Sequence, residues 1–350
     1  MPTAGDMRQF LGGQTFGSAF LPKVDLSGKT IVVTGANTGL GYACAVHLQV
    51  YHSLSPSFSL TSPRANLKVS HLILACRNAK KGEDAKSKIY AETNCKERTK
   101  IEVWDVDLAS YKSVERFGER VRTELERLDG FVANAGVEMT DFELSEGLET
   151  TLTVNVVSTI LMAITVLPKL RETAGKFNVQ TNLSIVGSMV HALGNDKDID
   201  LPESTDILEN LSRKETADMA GRYNLSKTLL HEAFHELCNT VSANHPNDNV
   251  VLNIVNPGWC GSDLGRHKQP GLPQRVVFAL IGRTSELGAR TLVHAVTAGT
   301  DTHGEYLSEC RVKMQSVFMR SRRGMGLHSR VWEQLVRRLV GVVPESLRLV

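Results

Sequence analysis

The sequence predicts a doubly wound α/β domain built on a parallel sheet. Two observations carry this: short apolar runs rich in β-branched residues recur along the chain, and longer helical patterns separate one run from the next. Runs without polar alternation suit strands covered on both faces. Thr30–Thr34, Ser70–Cys76, Lys100–Trp104, Leu128–Ala133, Thr181–Val186 and Val250–Val255 read as such strands. Helices are expected around Leu40–Tyr51, Ala79–Thr93, Lys112–Glu126, Glu146–Leu170 and Gly221–Val241. Right-handed crossovers between parallel strands then place helices on both faces of one sheet.

The expected organisation is a single domain with insertions. An N-terminal extension covers residues 1–27, the domain residues 28–310, and a C-terminal helical extension residues 311–350. Ser53–Asn66, rich in Ser and Pro, interrupts the rhythm as a surface loop. Leu193–Ala220, acidic and polar, is a second insertion.

With 40 Lys+Arg against 38 Asp+Glu, the chain lacks the basic excess of a dedicated nucleic-acid binder. Its hydrophobic content of 41% suits a soluble globular protein. The six cysteines form no CxxC pair, so no zinc ribbon or metal site is suggested, and a reducing, cytoplasmic setting is the simplest reading. Met1–Val24 lacks the apolar core of a signal peptide. Val154–Leu167 is the nearest approach to a transmembrane segment, but it is short and carries Asn155, Ser158 and Thr165.

The first strand runs into Thr34-Gly35-Ala36-Asn37-Thr38-Gly39-Leu40-Gly41 and then a helix. Glycines there let the backbone turn tightly against a pyrophosphate, and the helix N-terminus offers free N–H groups to it. This is the signature of a dinucleotide-binding Rossmann fold. Leu11–Gly17 is also glycine-rich, but no strand precedes it, so it is set aside.

The spacing TGxxxGxG resembles that of the short-chain dehydrogenase/reductase superfamily. Further elements follow in that family's order: Asn134-Ala135-Gly136 after the fourth strand, Asn155 in the next helix, Ser188 after the fifth strand, Tyr223-Asn-Leu-Ser-Lys227 opening a helix, and Pro257-Gly258 after the sixth strand. The resemblance spans roughly Gly28 to Leu264. The extended branch of epimerases and dehydratases spaces its glycines as TGxxGxxG, which this chain does not.

Tyr223 and Lys227 are four residues apart and share a helix face. A tyrosine hydroxyl must be stabilised as phenolate by roughly three pKa units, about 4 kcal/mol, to work near neutral pH. A neighbouring Lys⁺ supplies part of that by charge. The resemblance implies that Ser188 positions the substrate oxygen, that Tyr223 exchanges its proton, and that Asn155 supports Lys227 through a water-linked path. Ser184, inside the fifth strand, reads as buried and structural.

The second strand ends Leu74-Ala75-Cys76-Arg77-Asn78, with no acid to hold a ribose 2′-hydroxyl. Arg77 suits a 2′-phosphate, which favours NADP(H). The resemblance adds cofactor-binding roles for Gly35, Asn37, Gly39, Leu40, Gly41, Asn134, Gly136, Tyr223 and Lys227. It also places Asp107 beside the adenine, and Cys260 and Ser262 at the nicotinamide carboxamide, where the family usually has Val and Thr.

Within the superfamily, Ala75-Cys76-Arg77-Asn78, Ser188-x-x-His191 and the long gap before Tyr223 resemble the retinol dehydrogenase-like branch. Gly304–Ser308 and Val331-Trp332-Glu333 resemble fungal members, many of them in secondary-metabolite biosynthesis. This implies an oxidoreductase acting on a lipophilic carbonyl or alcohol, covered by Leu193–Ala220 and Pro257–Arg283, with a homo-oligomer as the family expectation. The alternative is a non-catalytic NADP-binding sensor, a class that usually loses the Tyr–Lys pair. Val331, Trp332, Leu335, Val336 and Leu339 form an apolar stripe flanked by Arg330, Arg337 and Arg338; it reads as a helix packed on its own domain, with peripheral membrane contact as the alternative.

Overall fold

The computed structural model describes residues 2–49, 67–194, 198–261, 264 and 278–344. The Ser53–Asn66 insertion lies outside the described residues, as do Ser262 and most of the segment after it.

An eight-stranded sheet is the frame: β1 (Thr30–Thr34), β2 (His71–Cys76), β3 (Lys100–Asp105), β4 (Gly130–Ala133), β7 (Thr181–Val186), β8 (Val250–Asn256), β9 (Tyr306–Ser308) and β10 (Arg311–Val312). The spatial order is β10-β9-β8-β7-β4-β1-β2-β3. Every pairing is parallel except β9 with β10. That last turn runs through Glu309 and Cys310, both at positive φ (51° and 55°), which closes an antiparallel hairpin onto the edge. The chain beyond residue 310 therefore begins within the sheet. β5 (Leu144–Ser145) and β6 (Leu148–Glu149) form a separate small ribbon.

The central strands β1, β4, β7 and β8 are buried at every position because both faces are covered, and most of their residues are apolar. Val32, Ile73 and Phe131 join one core layer, with α4 (Tyr111–Glu124), α6 (Thr159–Phe177) and α8 (Arg222–Asn244). Ile31, Val33, Leu72 and Leu74 join the opposite layer, with α2 (Gly39–His47), α3 (Ala79–Thr93) and a helix over Ser285–Val296, here α9. Strand order reverses between β1 and β4, so their C-terminal ends open the crevice where this fold takes its ligand.

A continuous helical stretch, Thr150–Phe177, comprises α5 (Thr150–Leu152), a π-helical turn (Thr153–Ser158) and α6. Its length and hydropathy would allow it to cross a membrane, yet all of its most apolar window is buried inside the fold. The C-terminal stripe is covered too. On the helix Arg322–Val342, here α10, Leu327, Val331, Leu335 and Leu339 are buried and the helix packs on α8. Gln334 accepts from the Ile207 N–H at 2.8 Å.

Leu193–Ala220 differs from the solvated loop its acidity suggests. It contains a short helix, α7 (Ile207–Leu211), whose Ile207, Leu208 and Leu211 enter the main core. The N-terminal extension likewise folds, as α1 (Ala4–Phe16), capped reciprocally by Thr3 and Asp6.

Candidate active site

The turn after β1 is shaped by its glycines. Gly35 stands at φ +65°, and a Cβ there would lie 3.1 Å from the Ala135 Cα. A Cβ on Gly41 would press on the Gly35 carbonyl oxygen and lie 2.6 Å from Asn134 Nδ2. Any side chain at either place would push the first turn of α2 off the sheet. Asn37, Gly39 and Leu40 are half-buried on the same turn. Thr38 makes no side-chain cap to α2. The first-turn N–H groups of α2 are therefore not capped by that side chain.

Thr34 locks this turn to the loop after β4. Its hydroxyl accepts from the backbone N–H of Asn134 and of Ala135, each at 2.9 Å, and Asn134 Nδ2 donates to the Thr34 carbonyl at 2.8 Å. Asn134 thus shapes the cradle rather than standing free in it. A Cβ on Gly136 would lie 3.1 Å from Asn155 Oδ1, so Gly136 packs on that side chain.

Asn155 sits in the π turn, a local geometry frequent at functional sites. Its Oδ1 accepts from the Val137 N–H at 2.9 Å, and its Nδ2 donates to the Val137 carbonyl at 2.8 Å and to Ser226 Oγ at 3.0 Å. The side chain is fully engaged and joins the loop after β4 to α8.

Tyr223 and Lys227 lie one turn apart on α8, as their spacing requires. Lys227 is buried, its Nζ 5.8 Å from the Tyr223 ring centroid, and it donates to the Val186 carbonyl at 2.8 Å. Burial lowers its pKa to about 8. The Tyr223 hydroxyl is raised by burial and by the charge of Glu138, against which a hydrogen bond with Ser188 works. Ser188 also accepts from the Val190 N–H at 3.3 Å, which starts the short helix Met189–Leu193. The structure therefore brings Ser188, Tyr223 and Lys227 together, with Asn155 reaching them through Ser226. Ser184 is wholly buried inside β7.

Arg77 is exposed at the end of β2, while Asn78 caps α3 by accepting from the Lys81 N–H at 2.9 Å. Asp107, in the loop after β3, accepts from the Ala109 N–H at 3.0 Å, and its own N–H donates to Ser113 Oγ. Cys260 donates to the Pro257 carbonyl at 3.3 Å and pairs in a bridge with Arg283; burial pushes its thiol up to about 12. All six cysteines are free thiols. The glycines and exposed Arg77 fit a dinucleotide: the cradle is open where a Cβ would block it, and a guanidinium stands at the strand end.

One contributor was absent from the sequence reading. Gln14 on α1 donates to the carbonyls of Trp259 (3.0 Å) and Ile281 (2.7 Å) and accepts from the Trp259 N–H (3.0 Å). Arg283 donates to the Gly13 carbonyl and pairs with Glu309 at 3.3 Å. The glycine-rich Leu11–Gly17 run is thus a clamp on the segment after β8, and the glycines make room for Glu309.

Comparison with known proteins agrees with this geometry. The profile of the short chain dehydrogenase family matches residues 65–190. Over 338 residues the chain is 38% identical to the short chain dehydrogenase/reductase dmxR8 of Cryptosporiopsis sp. (strain 8999), covering 96% of this chain and 98% of that protein. It is 33% identical to the short-chain dehydrogenase anuD of Penicillium roqueforti (strain FM164), covering 93% and 81%. Among solved structures, the fold is similar to an alcohol dehydrogenase from the archaeon Thermococcus sibiricus complexed with 5-hydroxy-NADP (TM-score 0.53, 20% identity, 84% of this chain and 99% of that one). It is also similar to an NADPH-bound carbonyl reductase from chicken fatty liver (TM-score 0.54, 17% identity, 82% and 98%). The identity to fungal relatives across nearly the whole of both sequences, on this sheet and this site, makes the protein a member of the short-chain dehydrogenase/reductase family of oxidoreductases, which use a nicotinamide cofactor.

Proposed function

We propose that this chain is an NADP(H)-dependent oxidoreductase that interconverts a carbonyl and an alcohol on a lipophilic small molecule. The observation that carries this reading is the Ser188–Tyr223–Lys227 arrangement at the crevice beside the glycine turn. When bound, the nicotinamide supplies or accepts the hydride at the substrate carbon. Ser188 holds the substrate oxygen by hydrogen bond. In reduction, Tyr223 gives its proton to that oxygen; its raised pKa keeps the hydroxyl protonated until a strongly basic oxygen develops. Lys227, predominantly charged at neutral pH, stabilises the phenolate left behind. Asn155 supports Lys227 through a water-linked path, its own side chain being held by Val137 and Ser226.

Arg77 favours NADP(H), since an exposed guanidinium can pair with a 2′-phosphate and β2 itself ends without an acid. Gly35, Asn37, Gly39, Leu40, Gly41, Asn134 and Gly136 line the dinucleotide cradle, with Asp107 on the adenine side and Cys260 on the nicotinamide side. Trp259, 37% exposed, packs edge-to-face on Phe278 with centroids 5.1 Å apart, an apolar wall on the segment after β8 that supports a lipophilic substrate. A place in secondary-metabolite biosynthesis follows the fungal resemblance. The test is NADPH oxidation by purified protein across lipophilic aldehydes and polycyclic ketones. Turnover supports the reading; NADPH binding without turnover across the panel favours a cofactor sensor.

A further inference from the structure

His191 makes two hydrogen bonds whose partners fix its state. Nδ1 lies 2.7 Å from the Ser188 carbonyl oxygen, which can only accept, so Nδ1 carries the proton. Nε2 lies 3.1 Å from the Ser316 backbone N–H, which can only donate, so Nε2 is bare. One neutral tautomer satisfies both; the other tautomer and the cation do not.

His191 is 3% exposed, and its ring is held on its faces as well. It stacks on His231 at 4.2 Å between centroids, and Tyr306 of β9 meets its edge at 5.3 Å. Thr228, next to Lys227, donates to the His191 carbonyl at 2.9 Å. His231 lies one helical turn beyond Lys227, and a Cβ on Gly187 would collide with its Nε2. The histidine therefore sits between Ser188 and the α8 face that bears Tyr223 and Lys227.

Its other anchor is distant in sequence. The backbone around Ser316 is tied to α1: Asp6 accepts from the Val317 N–H at 3.1 Å, and Gln9 donates to the Met314 carbonyl at 2.8 Å.

We infer that His191 is a positioning residue for Ser188, its neutral Nδ1–H imidazole holding the serine backbone so that the hydroxyl stays on Tyr223 while its Nε2 fastens the same spot to the chain's two ends. Burial supports this by lowering the His191 pKa to about 4, with the Ser188 carbonyl and Asp6 opposing and His235 adding to the fall. The groups around it are His231, His235 and Lys227 on α8, Asp6 on α1 and Tyr306 on β9. The inference rests on the reading of Ser188 as the residue that holds the substrate oxygen.

The experiment compares wild type, Ser188→Ala, His191→Phe, His191→Gln and the Ser188→Ala/His191→Phe double variant, with NADPH and phenanthrenequinone as the probe. His191→Phe keeps the ring stack and loses both bonds; His191→Gln keeps a donor and an acceptor. The expected result is a kcat lower by about tenfold or more in His191→Phe, with KM and NADPH affinity within about twofold, and partial recovery in His191→Gln. On the Ser188→Ala background the phenylalanine is expected to add less than about twofold, because the group it positions is gone. Unchanged kcat in His191→Phe, or a full additional loss on Ser188→Ala, overturns the inference while leaving the proposed function standing. Full activity in Ser188→Ala, or a wild type inactive on this probe and across the panel of lipophilic aldehydes and ketones, removes the proposed reading and the inference together. Should His191→Phe fail to fold, NMR of the wild-type histidine rings decides. An Nδ1–H tautomer that does not titrate between about pH 5 and 8 is expected, and a titrating ring or the opposite tautomer overturns the inference.

Discussion

Lys227 donates its 2.8 Å hydrogen bond to the carbonyl of Val186, two residues before Ser188, so one strand end places both the ammonium and the serine. The strand fixes the lysine without neutralising it, and Nζ keeps two further N–H donors. Burial lowers its pKa to about 8, so it loses its charge as pH rises past that value. Reduction measured as kcat/KM for NADPH is expected to fall above about pH 8 in wild type. Lys227→Met is expected to lose about 10²–10⁴-fold in kcat at neutral pH and to lack that alkaline limb, a comparison made with pH–rate profiles of both proteins.

Arg77 directly follows β2, the strand that conventionally meets the ribose. Arg77→Ser is expected to weaken NADPH binding by about tenfold to a hundredfold, the range of a charge-assisted hydrogen bond, and to leave NADH binding nearly unchanged. Fluorescence titration with both nucleotides checks this. Equal effects on the two would remove Arg77 from 2′-phosphate recognition.

The first residue of α8, Arg222, is buried against the equally buried Glu149 at 3.5 Å, and also donates to the Leu211 carbonyl at 2.6 Å. Removing one partner of such a pair strands the other charge. Arg222→Ala is therefore expected to cost about 3–5 kcal/mol in urea unfolding. The Arg222→Met/Glu149→Leu double variant is expected to recover most of that loss, because no charge is left buried. A single variant as stable as wild type would show that the pair does not hold the start of α8.

Seven histidines, His47, His71, His191, His231, His235, His294 and His303, have pKa values lowered first by burial. Each binds its proton less readily in the folded chain than when unfolded, so each contributes stability above about pH 6.5 that is lost as pH falls. Glu232 has the opposite sign: burial raises it to about 7, so its contribution is present at low pH and lost as pH rises from about 4.5 toward 7. The histidines outnumber it, and thermal unfolding is expected at lower temperature at pH 5 than at pH 7. Glu232→Gln is expected to steepen that fall on acidification. A melting temperature that rises from pH 7 to pH 5 would contradict the burial pattern.

The sheet and the Tyr223–Lys227 spacing were legible because both are local. A strand covered on two faces is buried at every position and needs an apolar centre, as Ile31–Val33 in Thr30–Thr34 and Leu183, Ile185 and Val186 in Thr181–Val186 supply, and those bounds match the structure. Tyr223 and Lys227 declare a shared helix face by their four-residue spacing alone. What was not legible depends on partners far along the chain. The adjacent Gly12 and Gly13 argue against a helix, yet α1 forms there, tied through Gln14 to Trp259 and through Gly13 to Arg283, 245 and 270 residues away. Ile207, Leu208 and Leu211 are too few to announce a buried helix within an acidic segment. The π turn at Asn155 leaves no mark in a run of apolar residues, and His191 reveals its second bond only once Ser316, 125 residues later, is in place.

The most direct test of the whole account is Tyr223→Phe, which removes one hydroxyl and keeps the ring. NADPH-dependent reduction of a substrate turned over by wild type is measured beside NADPH affinity. The expected result is a loss of at least about a hundredfold in kcat with nucleotide binding retained. Turnover at the wild-type rate would contradict the assignment of Tyr223 as the proton donor, and with it the reading of the Ser188–Tyr223–Lys227 arrangement as the active site.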